Sequence, residues 1–289
     1  MILAKSSLTR QTKILLIATI VALTSACSFK SLYNRLDYLI PVYLEGMVSF
    51  DDVLEKKIEQ RAQLLVSWHR NTQLKEYASW LRSLQQDITK DLTDKKLSQH
   101  ITKLEDFWES VSQKLNDEMV GLLPLLNSEQ RKELFASITK KNNNFSDEYI
   151  DLEEKKRIDS YIENMFDSYE SWLGDLTEEQ EKAIEQAASK LHSVAHLRLK
   201  QRLLWQQGIQ KILDNNEPAS LKSERLRTFF VGFETNNNSE MERLAALNRH
   251  TIEKLTLKII HTLSTEQKEH FMSETSDYIR MFTELSENR

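Results

Sequence analysis

Glycine and proline are scarce in this chain, and this scarcity limits its possible folds more than any other feature. The 289 residues include only five glycines and three prolines. A fold rich in β-hairpins or long loops needs these two residues at its many turns. The sequence therefore predicts an all-α fold.

Apolar residues recur with helical spacing in two long segments. One stripe advances in steps of four and three residues: Leu97, Ile101, Leu104, Trp108, Val111, Leu115 and Met119. A second stripe precedes it: Leu74, Tyr77, Leu81, Leu84 and Ile88. Such stripes lie on one helix face, which we expect to pack against a partner helix. The pattern predicts an elongated bundle of long antiparallel helices with coiled-coil-like packing.

Clusters of polar residues, glycine and proline mark the expected helix ends. The expected helices are 30–48, 50–70, 73–92, 94–122, 127–141, 145–173, 177–214, 219–234, 239–262 and 264–286. The helix at 145–173 is alternatively a continuation of the one that begins at residue 127. We expect residues 27–289 to form a single helical body, or alternatively two subdomains that divide near 174–177.

The first 26 residues have the pattern of a secretory signal peptide. Three basic residues, Lys5, Arg10 and Lys13, precede a largely apolar stretch at 14–23. This stretch is too short to cross the membrane as a helix, which needs about 20 apolar residues. Small residues follow at 24–26, directly before Cys27.

The segment Thr24-Ser25-Ala26-Cys27 resembles the lipobox of bacterial lipoproteins. The resemblance implies cleavage after residue 26 and acylation of Cys27, for example with palmitate, so that the membrane is one partner. Ser28 occupies the position at which aspartate favours inner-membrane retention in such lipoproteins, which implies an outer-membrane anchor with a periplasmic body. An ordinary signal peptide and an uncleaved anchor are the alternatives. Acylation also accounts for the single cysteine, which can form no disulfide within the chain.

Charge argues against one class of partner. Loss of residues 1–26 would remove three basic residues and no acidic ones, and would lower the net charge from −5 to −8. Nucleic-acid binding needs a basic face. We therefore expect a protein partner in the envelope and no nucleic acid.

A capping motif occurs three times, each time after a leucine. It pairs Asn127 with Gln130, Thr177 with Gln180, and Ser264 with Gln267. In each pair the first side chain can accept a bond from a free amide of the first turn, while the glutamine reaches back to the cap residue. The pattern resembles the Leu-Thr-x-x-Gln repeats of the Spy/CpxP family of periplasmic chaperones.

A longer resemblance covers most of the chain from Cys27 onwards. Its landmarks are Tyr33-Asn34-Arg35-Leu36-Asp37, Trp68-His69-Arg70 with Leu74, Tyr77, Ala78 and Leu81, the Gln130 motif, and Trp172-Leu173-Gly174-Asp175-Leu176-Thr177 with Gln180. Together they resemble an uncharacterised family of all-helical lipoproteins of proteobacteria. The resemblance implies fold and location, without an activity.

Two of these landmarks have local explanations. Gly174 can end one helix in a left-handed conformation, and Thr177 can cap the next. At the other landmark we expect Trp68 to face the core, while His69 and Arg70 are exposed and are the candidate partner contact.

Signs of catalysis are nearly absent from the sequence. His192 and His196 have the spacing of two metal ligands on one helix, but Ser193 stands where a zincin has its glutamate. No glycine-rich phosphate loop and no Gly-x-Ser-x-Gly motif occurs. We expect no catalytic residue, no metal and no cofactor.

Two functions fit these observations. The first is a non-enzymatic outer-membrane lipoprotein that acts as an adaptor, assembly factor or structural binding protein. The second is a chaperone-like holder of unfolded periplasmic proteins. A hydrolase whose site the sequence does not reveal is a distant third.

The lipobox predicts where the protein goes. Cys27→Ser should abolish incorporation of labelled palmitate, and Ser28→Asp should move the protein to the inner-membrane fraction. Ser31→Asp, which adds the same charge three residues later, is the control and should leave sorting unchanged. A wild-type protein that stays membrane-bound without taking up palmitate would contradict the lipobox assignment.

Overall fold

A computed structural model describes residues 26–235 and 239–287, and these residues form helices with no β-strand. The predicted all-α fold is therefore confirmed. The helices are α1 (Ala26–Tyr33), α2 (Leu36–Glu45), α3 (Asp52–Lys90), α4 (Asp94–Leu122), α5 (Ser128–Tyr149), α6 (Glu154–Leu173), α7 (Glu178–Ala188), α8 (Ala195–Asp214), α9 (Ala219–Thr235), α10 (Ser239–His261) and α11 (Thr265–Glu287), with a 3-10 turn at Leu123–Leu125.

Helix α3 is the longest helix described and packs against several others. It has 39 residues, and its cap residue Asp51 accepts bonds from the amides of Val53 and Leu54. Helices α2, α4 and α11 pack along it. Its buried positions are Leu54, Ile58, Ala62, Val66, Gln73, Leu74, Ala78 and Leu81.

The expected break between residues 70 and 73 is wrong, because α3 continues through it. Asn71 donates from Nδ2 to the Ser67 carbonyl at 2.8 Å, and Thr72 donates from Oγ1 to the Trp68 carbonyl at 2.8 Å. These side chains bond to the preceding turn of the same helix and so do not end it.

The asparagine cluster at 142–144 also fails to end a helix, and α5 continues to Tyr149. Asn142 is buried and donates from Nδ2 to Oε1 of Gln206 at 2.7 Å, so tertiary contact satisfies its amide. Conversely, the expected helix 177–214 is interrupted between α7 and α8. There Asn248 accepts from the His192 amide and donates to the His192 carbonyl, both at 2.8 Å.

The core consists of several hydrophobic clusters instead of one. One cluster joins Leu173 of α6, Ile184 of α7, Ile259 of α10 and Phe271 of α11. Others join α4, α8 and α9, or α1, α3 and α11. The first cluster has members on both sides of 174–177, and the domain division there stays a prediction.

Gly174 ends α6 in a conformation that favours glycine. Its φ is 72° and its ψ is −154°, so φ is positive as expected, but ψ is extended and the residue is not left-handed helical. Residues with a side chain almost never occupy this region. The turn brings Thr177 to the start of α7.

All three predicted capping pairs form both of their bonds. Asn127 accepts from the Gln130 amide at 3.0 Å, Thr177 from the Gln180 amide at 3.3 Å, and Ser264 from the Gln267 amide at 3.1 Å. In return, Oε1 of each glutamine accepts from the amide of its cap residue at 3.0 to 3.1 Å.

Two of the capping glutamines also bind each other. Gln180 donates from Nε2 to Oε1 of Gln267 at 3.0 Å, and Gln267 donates back at 2.8 Å. Both side chains are buried. Gln267 also donates to the Asp175 carbonyl at 2.8 Å, so one amide pair joins the N-termini of α7 and α11 to the loop after α6.

This amide pair predicts a coupled loss of stability. Gln180→Ala and Gln267→Ala should each lower the free energy of unfolding by about 1–3 kcal/mol, because each leaves a buried partner amide unsatisfied. The double variant should lose less than the sum of the two single variants. Urea unfolding measures all three, with exposed Gln186→Ala on α7 as the control that should change little. Strictly additive losses would contradict the coupling.

Candidate functional site

The candidate contact residue His69 lies between two tyrosines. Its Nδ1 is 2.8 Å from the Tyr33 hydroxyl, and its Nε2 is 3.3 Å from the Tyr77 hydroxyl. A neutral imidazole has one donor and one acceptor nitrogen, so one hydroxyl donates to the ring and the other accepts from it. The ring therefore joins α1 to α3.

Arg70 contacts two further elements. Its guanidinium donates to Oδ1 of Asn34 at 3.0 Å and to the Leu285 carbonyl at 3.4 Å. It also lies 5.3 Å from the centroid of the Tyr33 ring, in cation–π geometry. Arg70 thus ties α3 to α1 and to the end of α11.

The expectation that His69 and Arg70 are exposed is wrong, because α1 covers them and both are half-buried. Trp68 is also only half-buried, although it was expected in the core. Leu54, Ile58, Ala62 and Val66 define the buried stripe here. At 100° per residue, His69 lies at the centre of this stripe. Trp68 lies about 100° from that centre and so outside the stripe.

Burial changes the pKa values in this network. It lowers the pKa of His69, since a buried imidazolium loses hydration. Burial also raises the pKa of Tyr33 to about 12, a shift that the nearby Arg70 opposes and Tyr77 reinforces. The network thus favours a neutral histidine and two neutral tyrosines. Neutral side chains suit a structural role, in which the hydrogen bonds hold α1 against α3.

A second feature is an apolar cavity of about 350 Å³ where α2, α3, α4 and the start of α5 meet. Its apolar lining includes Leu44, Val48, Ile58, Leu65, Leu115 and Leu122. The charged residues among those that line it are Arg61 and Glu118. Its walls come from separate parts of the sequence, and no single motif marks it. We refer to this feature below as the apolar cavity.

A carboxylate with two cationic partners lies at the apolar cavity. Glu118 Oε2 is 3.2 Å from Nη1 of Arg61, and Glu118 Oε1 is 3.1 Å from Nζ of Lys114. The Glu118 side chain is 9% exposed, whereas that of Arg61 is 47% exposed. Gly121 leaves room for the guanidinium, because a Cβ there would lie 3.3 Å from Arg61 Nη2. The three side chains together carry one net positive charge.

The apolar stripe of α4 does not pack along its whole length. Leu97 is buried as expected, but Leu104, Trp108 and Leu115 are 46%, 71% and 39% exposed. The expected partner helix therefore does not cover the middle of the stripe. Leu115 belongs both to this exposed stripe and to the lining of the apolar cavity.

Two predicted features remain, the N-terminal segment with Cys27 and the pair His192 and His196. The signal peptide and the Cys27 side chain lie outside the described part of the structure. His192 precedes α8 and His196 lies within it, so the two do not share one helix face. Within the described ranges, no group of three or more histidine, cysteine or acidic side chains could hold a metal. No described helix is long and apolar enough to cross a membrane.

The fold is thus that of an all-helical protein with a charge-edged apolar cavity. Residues 48–235 match the family of unknown function (DUF6279), and the chain belongs to this family. The expected membership of an uncharacterised family is thereby confirmed. No curated protein and no solved structure matches the chain. The matched region spans α3 to α9 and includes Arg61, Lys114 and Glu118.

The lowered pKa of His69 predicts a pH dependence of stability. Below about pH 6.5 the unfolded chain binds a proton at His69 that the folded protein does not yet bind. The free energy of unfolding therefore decreases as the pH decreases. His69→Gln should remove the contribution of His69 to the slope of the unfolding free energy against pH. For one proton this contribution is at most about 1.4 kcal/mol per pH unit. Chemical unfolding between pH 7 and pH 5 measures it.

A matched substitution separates His69 from the other histidines. His250 lies exposed on α10, and His250→Gln should keep the wild-type slope. If the His69 and His250 variants show the same slope, the buried network does not control the acid sensitivity.

Proposed function

We propose that this protein is a non-enzymatic, lipid-anchored protein of the outer membrane that binds an envelope component through the apolar cavity. Its role is that of an adaptor, assembly factor or structural binding protein. The observation that carries the proposal is the apolar cavity itself. A space of about 350 Å³ is within the usual range of ligand sites, about 300–1,000 Å³.

The apolar lining of the cavity supports a binding role. A bound apolar group would remove these side chains from water and make dispersion contacts with them. A few polar groups at the edge of an apolar lining, as Arg61 and Glu118 are here, are typical of sites that orient a ligand.

The N-terminal helix supports a close attachment to the membrane. Helix α1 includes Cys27 and packs against α11. Phe29 and Tyr33 pack on the cluster that contains Leu74, Met281 and Leu285. An acylated Cys27 would therefore lie two residues from a packed side chain, and the anchor would hold the folded body near the membrane without a flexible linker.

One observation favours the chaperone-like holder as the second candidate. Leu104, Trp108 and Leu115 form an exposed apolar stripe on α4. Exposed apolar surface of this kind can bind unfolded chains. The likeness of the capping repeats to those of the Spy/CpxP chaperones agrees with this alternative.

Photo-crosslinking in cells tests the proposal. A photoreactive residue at Leu115, at the apolar cavity, should give one discrete adduct, detected by intact mass as lipid or protein. The same residue at Leu203, which is 41% exposed on α8, is the control. Leu65→Trp, which adds bulk inside the apolar cavity, should abolish the adduct.

Other patterns would point elsewhere. Many different protein adducts at both Trp108 and Leu115, insensitive to Leu65→Trp, would favour the holder. No adduct at Leu115 above the Leu203 control would contradict a binding role for the apolar cavity.

A further inference from the structure

We propose that the apolar cavity binds a single fatty carboxylate, with the acyl chain inside and the carboxylate at Arg61. This inference rests on the proposed binding function and names the class of ligand.

The lining of the apolar cavity indicates an acyl chain. Apart from Arg61 and Glu118, every described residue that lines it is apolar. A bound peptide would bring backbone amides and carbonyls among these side chains, where they would find few partners, at a high desolvation cost. An acyl chain has no polar group along its length and meets no such cost.

The volume indicates one chain. A methylene group is about the size of a water molecule, whose share of liquid volume is about 30 Å³. A cavity of about 350 Å³ therefore accommodates roughly a dozen chain carbons. Two such chains side by side would need about twice this volume.

The charges indicate an anionic head group. Glu118 is bonded by both Arg61 and Lys114, so the three side chains carry one positive charge more than they need for neutrality. A monoanionic carboxylate would balance it. The Arg61 guanidinium is 47% exposed and has a planar array of donors that suits a carboxylate. A cationic head would be repelled, and an uncharged alcohol would gain less.

Photoaffinity labelling of the full-length protein in its own membranes tests this inference. The probe is a saturated fatty acid with a chain diazirine and a terminal alkyne, and peptide mapping locates the adduct. We expect labelling at the residues of the apolar cavity, and competition by unmodified fatty acid that exceeds competition by the alcohol or amine of equal length.

Matched variants separate the apolar cavity from general membrane labelling. Leu115→Trp should reduce labelling at least about ten-fold, whereas Leu104→Trp, on the same exposed stripe but outside the lining, should not. Arg61→Gln should reduce labelling roughly ten-fold, the effect of one charge-assisted hydrogen bond. Arg82→Gln, on the same helix and bonded to Thr283, is its control, and Arg61→Lys should retain part of the labelling.

The folding of each variant is checked by circular dichroism, and Leu65→Trp replaces Leu115→Trp if the latter unfolds. Equal labelling of the Leu115 and Leu104 variants would overturn the inference, as would equal competition by acid and alcohol. If the fatty-acid probe fails while the crosslinker at Leu115 still gives a discrete adduct that depends on the apolar cavity, the ligand class is wrong and the proposed function is retained. If both experiments fail, both proposals fall.

Discussion

Covering the apolar stripe of α3 is the constraint on which the rest of the structure depends. At 1.5 Å per residue, its 39 residues extend about 58 Å. No other described helix has this length, so α3 needs different partners along its course. Helix α2 packs along the first half of α3, where Leu44 and Val48 contact Leu54 and Ile58.

Helix α11 takes over along the second half of α3. Gln85 bonds to Met272 and Thr275, while Leu74 packs with Met281 and Leu285, so the two helices are antiparallel. This change of partner separates the cluster around Leu54 and Ile58 from the cluster of Leu74, Met281 and Leu285.

The capping glutamines show how a local signal can fix a long-range contact. A glutamate could accept the cap amide equally well, and capping boxes use either residue. Glutamine adds a donor: Gln130 donates to the Ser49 carbonyl at 3.0 Å, and Gln180 and Gln267 donate to each other. A glutamate in these buried positions would have no donor and would carry an unpaired charge.

Sequence reasoning could predict the all-α fold, the two bonds of each capping box and the turn at Gly174, because these depend on neighbouring residues. It failed where a distant residue decides the local structure. The interruption between α7 and α8 depends on Asn248, and the burial of His69 depends on Tyr33 and the rest of α1. The apolar cavity was missed for the same reason, since Val48, Leu65, Leu115 and Leu134 meet there only in the folded chain.

The two ends of α2 differ in chemistry. At the end nearest Cys27, Tyr33 is hydrogen-bonded to His69. Arg70 donates there to Asn34 and to the Leu285 carbonyl. At the other end, near Val48, apolar walls leave an open space with charge at its edge. The ten residues of α2 extend about 15 Å between these two ends, at 1.5 Å per residue. An anchor at Cys27 and a ligand in the apolar cavity would therefore not compete for the same surface.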